Sequence, residues 1–333
     1  MKFTGLGVLA CVLALLAAGT AGAVNLPPDF AMVTVGDTTS FDKPVGLAFA
    51  ADGRIFVSEQ RGRIYVMVPD TNAVDPRTGY IKQATPFLEI EDEVLFHWDR
   101  GLLGLALDPD FDTNRWVYFA YMVETNVEVG SPFTDYVQDS YTRVERVQAS
   151  LADPNLADES TRQILIGATW DTGIPSTHTS HTTGTLAFGD DRTLLITHGD
   201  GAHFDGVDAG GRDPESFLPG RAAADEDVGA FRAHYLDSMS GKVLRIDPNT
   251  GEGVPSNPWF EPGSPSSDRS RLWAKGLRNP YRMDVKRGSG STNPADGDPG
   301  LLAVSDVGWS NFEEVNLSRG GEDFGWPCYE GLD

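Results

Sequence analysis

Four of the six histidines, His178, His181, His198 and His203, lie in one stretch, H-T-S-H-T-T-G-T-L-A-F-G-D-D-R-T-L-L-I-T-H-G-D-G-A-H. Imidazole titrates near neutral pH, so one of them can act as a general base. Several together can bind a transition metal. Polar loop residues with no chemical task would give the same spacing. A second set is Arg278-Asn279-Pro280. A guanidinium there can stabilise developing negative charge, and it can equally cap a turn before proline. Glu313-Glu314 is an adjacent acidic pair that, on its own, reads as an exposed strand end. Asp108-Pro109-Asp110-Phe111-Asp112-Thr113-Asn114 is not an EF-hand, because Gly is missing at the sixth position and Phe119 stands at the twelfth. It reads as a turn between strands. Gly199-Asp200-Gly201, with Asp205 and Asp208, is the better loop for calcium. Trp326-Pro327 after Gly325 reads as packing in a corner. No glycine-rich loop precedes Lys242, and neither a nucleotide fingerprint nor a nucleophile elbow is present.

These residues need elements to position them, and one phrase recurs along the chain. Gly46 opens G-L-A-F-A-A-D-G-R-I-F-V-S-E, and Gly104 opens G-L-A-L-D-P-D-F-D-T-N-R-W-V-Y-F-A-Y. Gly184 opens G-T-L-A-F-G-D-D-R-T-L-L-I-T-H-G-D, and Tyr281 opens Y-R-M-D-V-K-R-G, answered by G-L-L-A-V-S-D. Each is an apolar strand, an Asp/Gly turn and a second apolar strand, which is a hairpin signature. Repetition of one β-unit predicts an all-β propeller. The uneven spacing places insertions between blades, at Thr125 to Asp139, Gly199 to Gly229, Glu261 to Ser270 and Arg287 to Gly300. Long loops on a rigid β-scaffold are where binding residues collect. A hairpin after His181 would bring the two ends of the histidine stretch together.

The chain has 333 residues, 40% hydrophobic, with 37 Gly and 21 Pro, which suits many short strands joined by turns. Residues 1–23 read as a secretory signal peptide, with Lys2, an apolar run from Leu6 to Ala18 and Ala21-Gly22-Ala23 as the cleavage site. Residues 24–42 form a lead-in, and 43–333 the propeller. The expected location is periplasmic or extracellular, with no membrane insertion after cleavage. Lys and Arg total 26 against 49 Asp and Glu, a net charge of −23, which disfavours nucleic acid and anionic membranes. Of the two cysteines, Cys11 leaves with the signal peptide and Cys328 then has no partner, so a disulfide framework within the chain is excluded.

Taken in order, G-L-R-N-P-Y, S-D-V-G-W-S-N-F-E-E-V-N-L and F-G-W-P resemble the soluble PQQ-dependent glucose/sorbosone dehydrogenases. V-L-R-I-D before them, and the hairpins from Lys43 onward, extend the likeness over nearly all of the mature chain. The resemblance implies a six-bladed propeller, of which about four blades are present here. It also implies an exported sugar dehydrogenase that passes a hydride from C1 of an aldose to pyrroloquinoline quinone (PQQ), with Ca2+ as second cofactor and an external electron acceptor. By the same resemblance His181 is the base, Arg278 and Asn279 contact PQQ, and the carbonyls of Gly308 and Trp309 bind Ca2+. Glu314 matches a family Glu that is structural or binds a second Ca2+. The chain departs from the pattern at Ser180, where Asp often precedes the base, and at Asp99, where Gln is usual. Both positions fall on the expected substrate side. Trp309 replaces a customary Pro, which a carbonyl ligand tolerates.

Two other functions fit the same scaffold. The Hedgehog-interacting-protein-like branch shares V-L-R-I-D, G-L-R-N and D-V-G…F-E-E-V, and implies a binding module without PQQ. A calcium-dependent lactonase would need carboxylate and Asn metal ligands and water attack. The histidine stretch and the R-N-P turn speak against it.

Overall fold

The computed structural model describes residues 27–36, 40–75, 78–125 and 139–331. The signal-peptide reading, and most of the insertion after Thr125, lie outside these residues. Among the described residues, seventeen strands form four antiparallel sheets. The first sheet has β1 (Pro44–Phe49), β2 (Ile55–Glu59), β3 (Arg63–Pro69) and β4 (Tyr80–Lys82), with β5 (Leu88–Glu89) also on β3. The second has β6 (Leu102–Leu107), β7 (Trp116–Met122), β8 (Ser140–Ala149) and β10 (Ile174–Ser176), with β9 (Ala157–Ile166) on β8. The third runs β11 (Thr183–Phe188), β12 (Leu194–His198), β13 (Lys242–Ile246) and β14 (Leu272–Lys275). The fourth has β15 (Arg282–Lys286), β16 (Leu301–Asp306) and β17 (Glu314–Ser318).

All four hairpins expected from the repeated phrase form, as β1–β2, β6–β7, β11–β12 and β15–β16. The D-P-D-F stretch leads into a single helical turn, Phe111–Asn114, closed by Arg115 in the left-handed region. Asp108 and Asn114 turn their side-chain oxygens onto backbone N–H groups of the same loop, so they serve the turn.

The first strands of the sheets, β1, β6, β11 and β15, lie side by side in chain order. Sheets packed face to face around such a row are propeller blades. Three apolar layers fill the gaps between them. Phe56, Ile64 and Val66 meet Leu105, Val117 and Phe119 between the first two blades. Tyr118 and Val144 meet Leu186, Phe188, Ile196 and Leu244 between the second and third. Leu195, Val243 and Trp273 meet Met283, Val285, Leu302 and Val304 between the third and fourth. Strand alternation supplies this arrangement, because successive side chains face opposite neighbours. The inner strands line an axial cavity of about 1160 Å3, and neither His181 nor Arg278 is on its wall. Leu47 and Phe49 on the first blade, and Val315 and Leu317 on the fourth, remain exposed.

Candidate functional site

The site gathers at the loops that join blades two, three and four. In the third blade, Thr183 pairs with His198, so the hairpin draws the start and end of the histidine stretch together. Three backbone bonds lock the junction: Gly199 N to Thr182 O at 2.9 Å, Gly201 N to His181 O at 3.0 Å and Thr177 N to Gly201 O at 2.9 Å. Gly199 has no alternative here, since a Cβ on it would meet the His181 carbonyl oxygen at 2.4 Å. His181 itself sits at φ 58°, a left-handed conformation that a histidine adopts at a cost of about 1–2 kcal/mol.

The hairpin brings Asp200 to His181. His181 Nδ1 lies 2.8 Å from Asp200 Oδ1, with both side chains buried. Burial alone would push the Asp200 carboxyl up. The His181 imidazole, the Ala202 N–H and the Trp326 indole N–H outweigh it and hold the carboxyl below its ordinary range. An ionised carboxylate only accepts, so His181 Nδ1 carries the hydrogen and Nε2 is the basic nitrogen. Trp326 Nε1 donates to Asp200 Oδ2 at 2.7 Å, and buried Arg232 Nε donates to the Asp200 carbonyl at 3.0 Å.

The R-N-P turn is fixed to the same unit. Asp200 N donates to Arg278 O at 2.8 Å, and the Arg278 guanidinium lies over the Trp326 ring at 5.4 Å. Both N–H groups of Arg278 and Asn279 donate to the carboxyl of Asp306 at the end of β16, at 2.9 and 2.6 Å. Burial pushes the Asp306 carboxyl up to about 7, against those two hydrogen bonds. Arg278 Nη1 donates to Val307 O and Gly308 O, each at 3.0 Å. Arg278 Nε is buried and has no hydrogen-bond partner among the described residues. A buried guanidinium with an open donor is a ready anchor for a carboxylate or quinone oxygen.

Asp99 and Ser180 both lie against the loop that carries His181. Asp99 N donates to Thr179 O at 3.3 Å, Thr182 Oγ1 donates to Asp99 O at 2.6 Å, and Ser180 Oγ is 3.4 Å from His178 Nδ1. Gly308 and Trp309 follow β16 in a tight turn, where a Cβ on Gly308 would overlap Phe312 O at 1.6 Å. The Trp309 N–H donates to Glu330, and Gly308 N donates to Glu313 Oε2 at 3.2 Å. Carbonyl oxygen suits Ca2+, but Gly308 O already accepts from the Arg278 guanidinium, whose positive charge opposes a cation on the same oxygen. Glu314 lies opposite Asp306 across β16–β17 and holds Gly331 N and Asn316 Nδ2 with its two oxygens.

The other histidines separate into different tasks. His198 is fully buried, with Nδ1 2.7 Å from Gly199 O and Nε2 3.0 Å from Thr142 Oγ1, a framework role. His178 and His203 pack ring on ring at 3.9 Å between centroids. Among the described residues, no three His, Cys, Asp or Glu side chains converge on a metal position. That corrects the transition-metal reading of the histidines. In the 199–208 loop, read above as a calcium site, the Asp200 carboxylate is taken up by His181, Trp326 and Ala202 N, and that of Asp208 accepts from His203 N and Gly210 N. Trp326, taken as corner packing, is also a hydrogen-bond donor inside the site. Asp306 and Arg232 escaped the sequence reading, and Asp200 was read there as a calcium ligand rather than as the partner of His181. For Asp200 the usable signal was the hairpin register, which sets residues 199 and 200 against 181 and 182.

The sequence matches the family described as Glucose / Sorbosone dehydrogenase over residues 41–332. The chain belongs to the glucose/sorbosone dehydrogenase family. It is 26% identical over 319 residues to the HIPL1 protein of Arabidopsis thaliana, covering 84% of this chain and 40% of that one. It is also 26% identical over 297 residues to quinoprotein glucose dehydrogenase B of Acinetobacter calcoaceticus, covering 88% of this chain and 52% of that one. The chain thus spans about half the length of these relatives, or less. The PQQ-bound aldose sugar dehydrogenase of Streptomyces coelicolor has the same fold, with a TM-score of 0.60, 23% identity, and coverage of 90% of this chain and 66% of that structure. Among the described residues no helix is long and apolar enough to cross a membrane. Cys328 is an exposed free thiol.

Proposed function

We propose that this protein is an exported, PQQ- and calcium-dependent dehydrogenase that oxidises an aldose or related sugar at C1. One observation carries the reading: His181, Asp200, Trp326 and Arg278 form one buried, hydrogen-bonded and stacked unit. The unit holds a basic imidazole nitrogen and a guanidinium with an open donor. Asp200 orients the imidazole and stabilises the positive charge it gains. His181 Nε2 takes the proton of the anomeric hydroxyl, which raises electron density at C1 and eases departure of its hydrogen as hydride. Bound PQQ would supply the acceptor for that hydride and its two electrons. Arg278 and Asn279 would hold the cofactor, with Arg278 balancing negative charge on it. The carbonyls of Gly308 and Trp309 are the ligands assigned to Ca2+. Asp99 and Ser180 face the sugar. An external carrier then takes the electrons.

The Hedgehog-interacting-protein-like reading keeps the propeller as a binding module. The likeness to HIPL1 favours it, as does Arg278 satisfying the Val307 and Gly308 carbonyls within the chain itself. Sugar-dependent bleaching of the quinone absorbance separates the two. The dehydrogenase reading expects bleaching in the wild type, and retained PQQ binding without bleaching in His181→Ala. Bleaching that survives in His181→Ala removes His181 as the base.

A further inference from the structure

In the sequence Trp326 reads as corner packing, yet its indole meets two parts of the site at once. The indole N–H donates to Asp200 Oδ2 at 2.7 Å. The ring lies against the Arg278 guanidinium at 5.4 Å and packs on Ala202, Ala230 and Ala233. Trp326 is buried, so water does not compete for the N–H. A phenylalanine would fill the same corner, and packing alone does not call for a donor there.

The backbone delivers the indole to this place. Residues 322–326, after β17, run beside the end of β14. Lys275 N donates to Glu322 O at 3.0 Å, Phe324 N to Lys275 O at 2.9 Å and Trp326 N to Gly276 O at 3.0 Å. Gly276 has φ 79°, and a Cβ on it would meet Gly325 N at 2.7 Å, so this close approach requires glycine. The fourth blade thereby supplies a donor to a carboxylate of the third.

The two oxygens of Asp200 have different partners. Oδ1 meets His181 Nδ1 at 2.8 Å and accepts from Ala202 N at 2.9 Å, while Oδ2 accepts from the indole. With both oxygens engaged, the carboxylate plane stays turned toward the imidazole. The indole also draws carboxylate charge toward itself, which leaves less to stabilise an imidazolium. The charged and titratable groups facing the pair are Arg232, Arg278 and Asp306, with the imidazoles of His178 and His198.

We propose that Trp326 is a positioning residue for the base: through Asp200, its indole N–H fixes the orientation of His181 and holds down its affinity for a proton. His181 is thereby kept neutral, and able to accept a proton, at a lower pH than a carboxylate partner alone would allow. This inference rests on the reading of His181 as base, and its first test needs neither PQQ nor sugar.

The test replaces Trp326 by 3-benzothienylalanine, which keeps the shape and ring of tryptophan but carries sulfur where the N–H stood. The His181 ring is followed by NMR through a pH titration of the apo-protein. Its midpoint should rise by about one pH unit, a roughly tenfold gain in proton affinity, and Trp326→Phe should move it the same way. A midpoint that stays put or falls in the benzothienyl protein overturns the proposal. A measurement on the unaltered protein is independent of how the variants fold. The Trp326 indole N–H resonance should move with the same midpoint as the His181 ring, because both donors share one carboxylate. An indole resonance that ignores that midpoint overturns the coupling. In the PQQ-loaded protein the acid limb of the kcat profile should shift with the His181 midpoint. A limb that stays fixed while the midpoint moves removes His181 as the base and leaves the role of the indole standing.

Discussion

Asp200 decides which nitrogen of His181 carries the hydrogen. With its carboxyl held ionised, Nδ1 must donate, and Nε2 is left to accept a proton. Replacing Asp200 by Asn offers an amide N–H or O in place of a carboxylate, so the imidazole loses both its orientation and its counter-charge. We expect Asp200→Asn to lower kcat for sugar oxidation by roughly 10²- to 10⁴-fold while leaving PQQ affinity within a few-fold of wild type. An unchanged kcat in a steady-state assay would show that the pair does not act in the reaction. His181, Arg278 and Asn279 stood out in the sequence as candidates because their neighbours form a recognisable phrase. Asp200 did not, because a lone Gly-Asp-Gly reads equally well as a calcium turn, and only the pairing of Thr183 with His198 brings it under His181.

The third blade is the element that carries the site, and buried polar groups tie it together. Arg245 on β13 meets Asp191 at 2.6 Å, with neither side chain exposed, and also donates to Asn257 and Pro294 O. Removing one partner leaves a buried charge, so Asp191→Ala should destabilise the fold by about 3–5 kcal/mol in denaturant unfolding. A loss below about 1 kcal/mol would mean that the loops relax to admit water. His198 gives the blade a pH dependence. Its burial, with the charges of Arg232 and Lys242 nearby, lowers it from 6.5 to about 4. Between those values the unfolded chain binds a proton that the folded protein refuses, so this group's contribution to stability falls as pH falls. Asp268 and Asp306, pushed up to about 7, act in the opposite sense above 3.8. The readout is therefore the difference between wild type and His198→Gln. The variant should lose about 1 kcal/mol per pH unit less than wild type as pH falls from 6 to 4.5. Equal slopes would contradict a neutral buried His198. The hairpins were legible because alternating apolar residues flank Asp/Gly turns. The tasks of the four histidines were not, since burial and ring packing depend on which loop crosses which.

At the scale of the whole molecule, four blades stack through three apolar layers, and the site lies where the loops of blades two, three and four meet. The propeller class was readable from one repeated phrase. The partners of each blade were not, because every strand is apolar on the faces it buries and nothing in the alternation names the neighbour. Val315 and Leu317 at one end, and Leu47 and Phe49 at the other, present the same alternation to solvent. On the proposed dehydrogenase reading, this scaffold holds PQQ against Arg278. Titrating the apo-protein with PQQ in the presence of Ca2+, and following quinone absorbance and calorimetric heat together, tests it most directly. The account predicts one PQQ per chain at micromolar concentration or below, weakened at least tenfold by Arg278→Ala through loss of charge-assisted hydrogen bonds. No saturable binding to the wild type, or equal binding to Arg278→Ala, would contradict it and leave a propeller that binds a partner or a glycan.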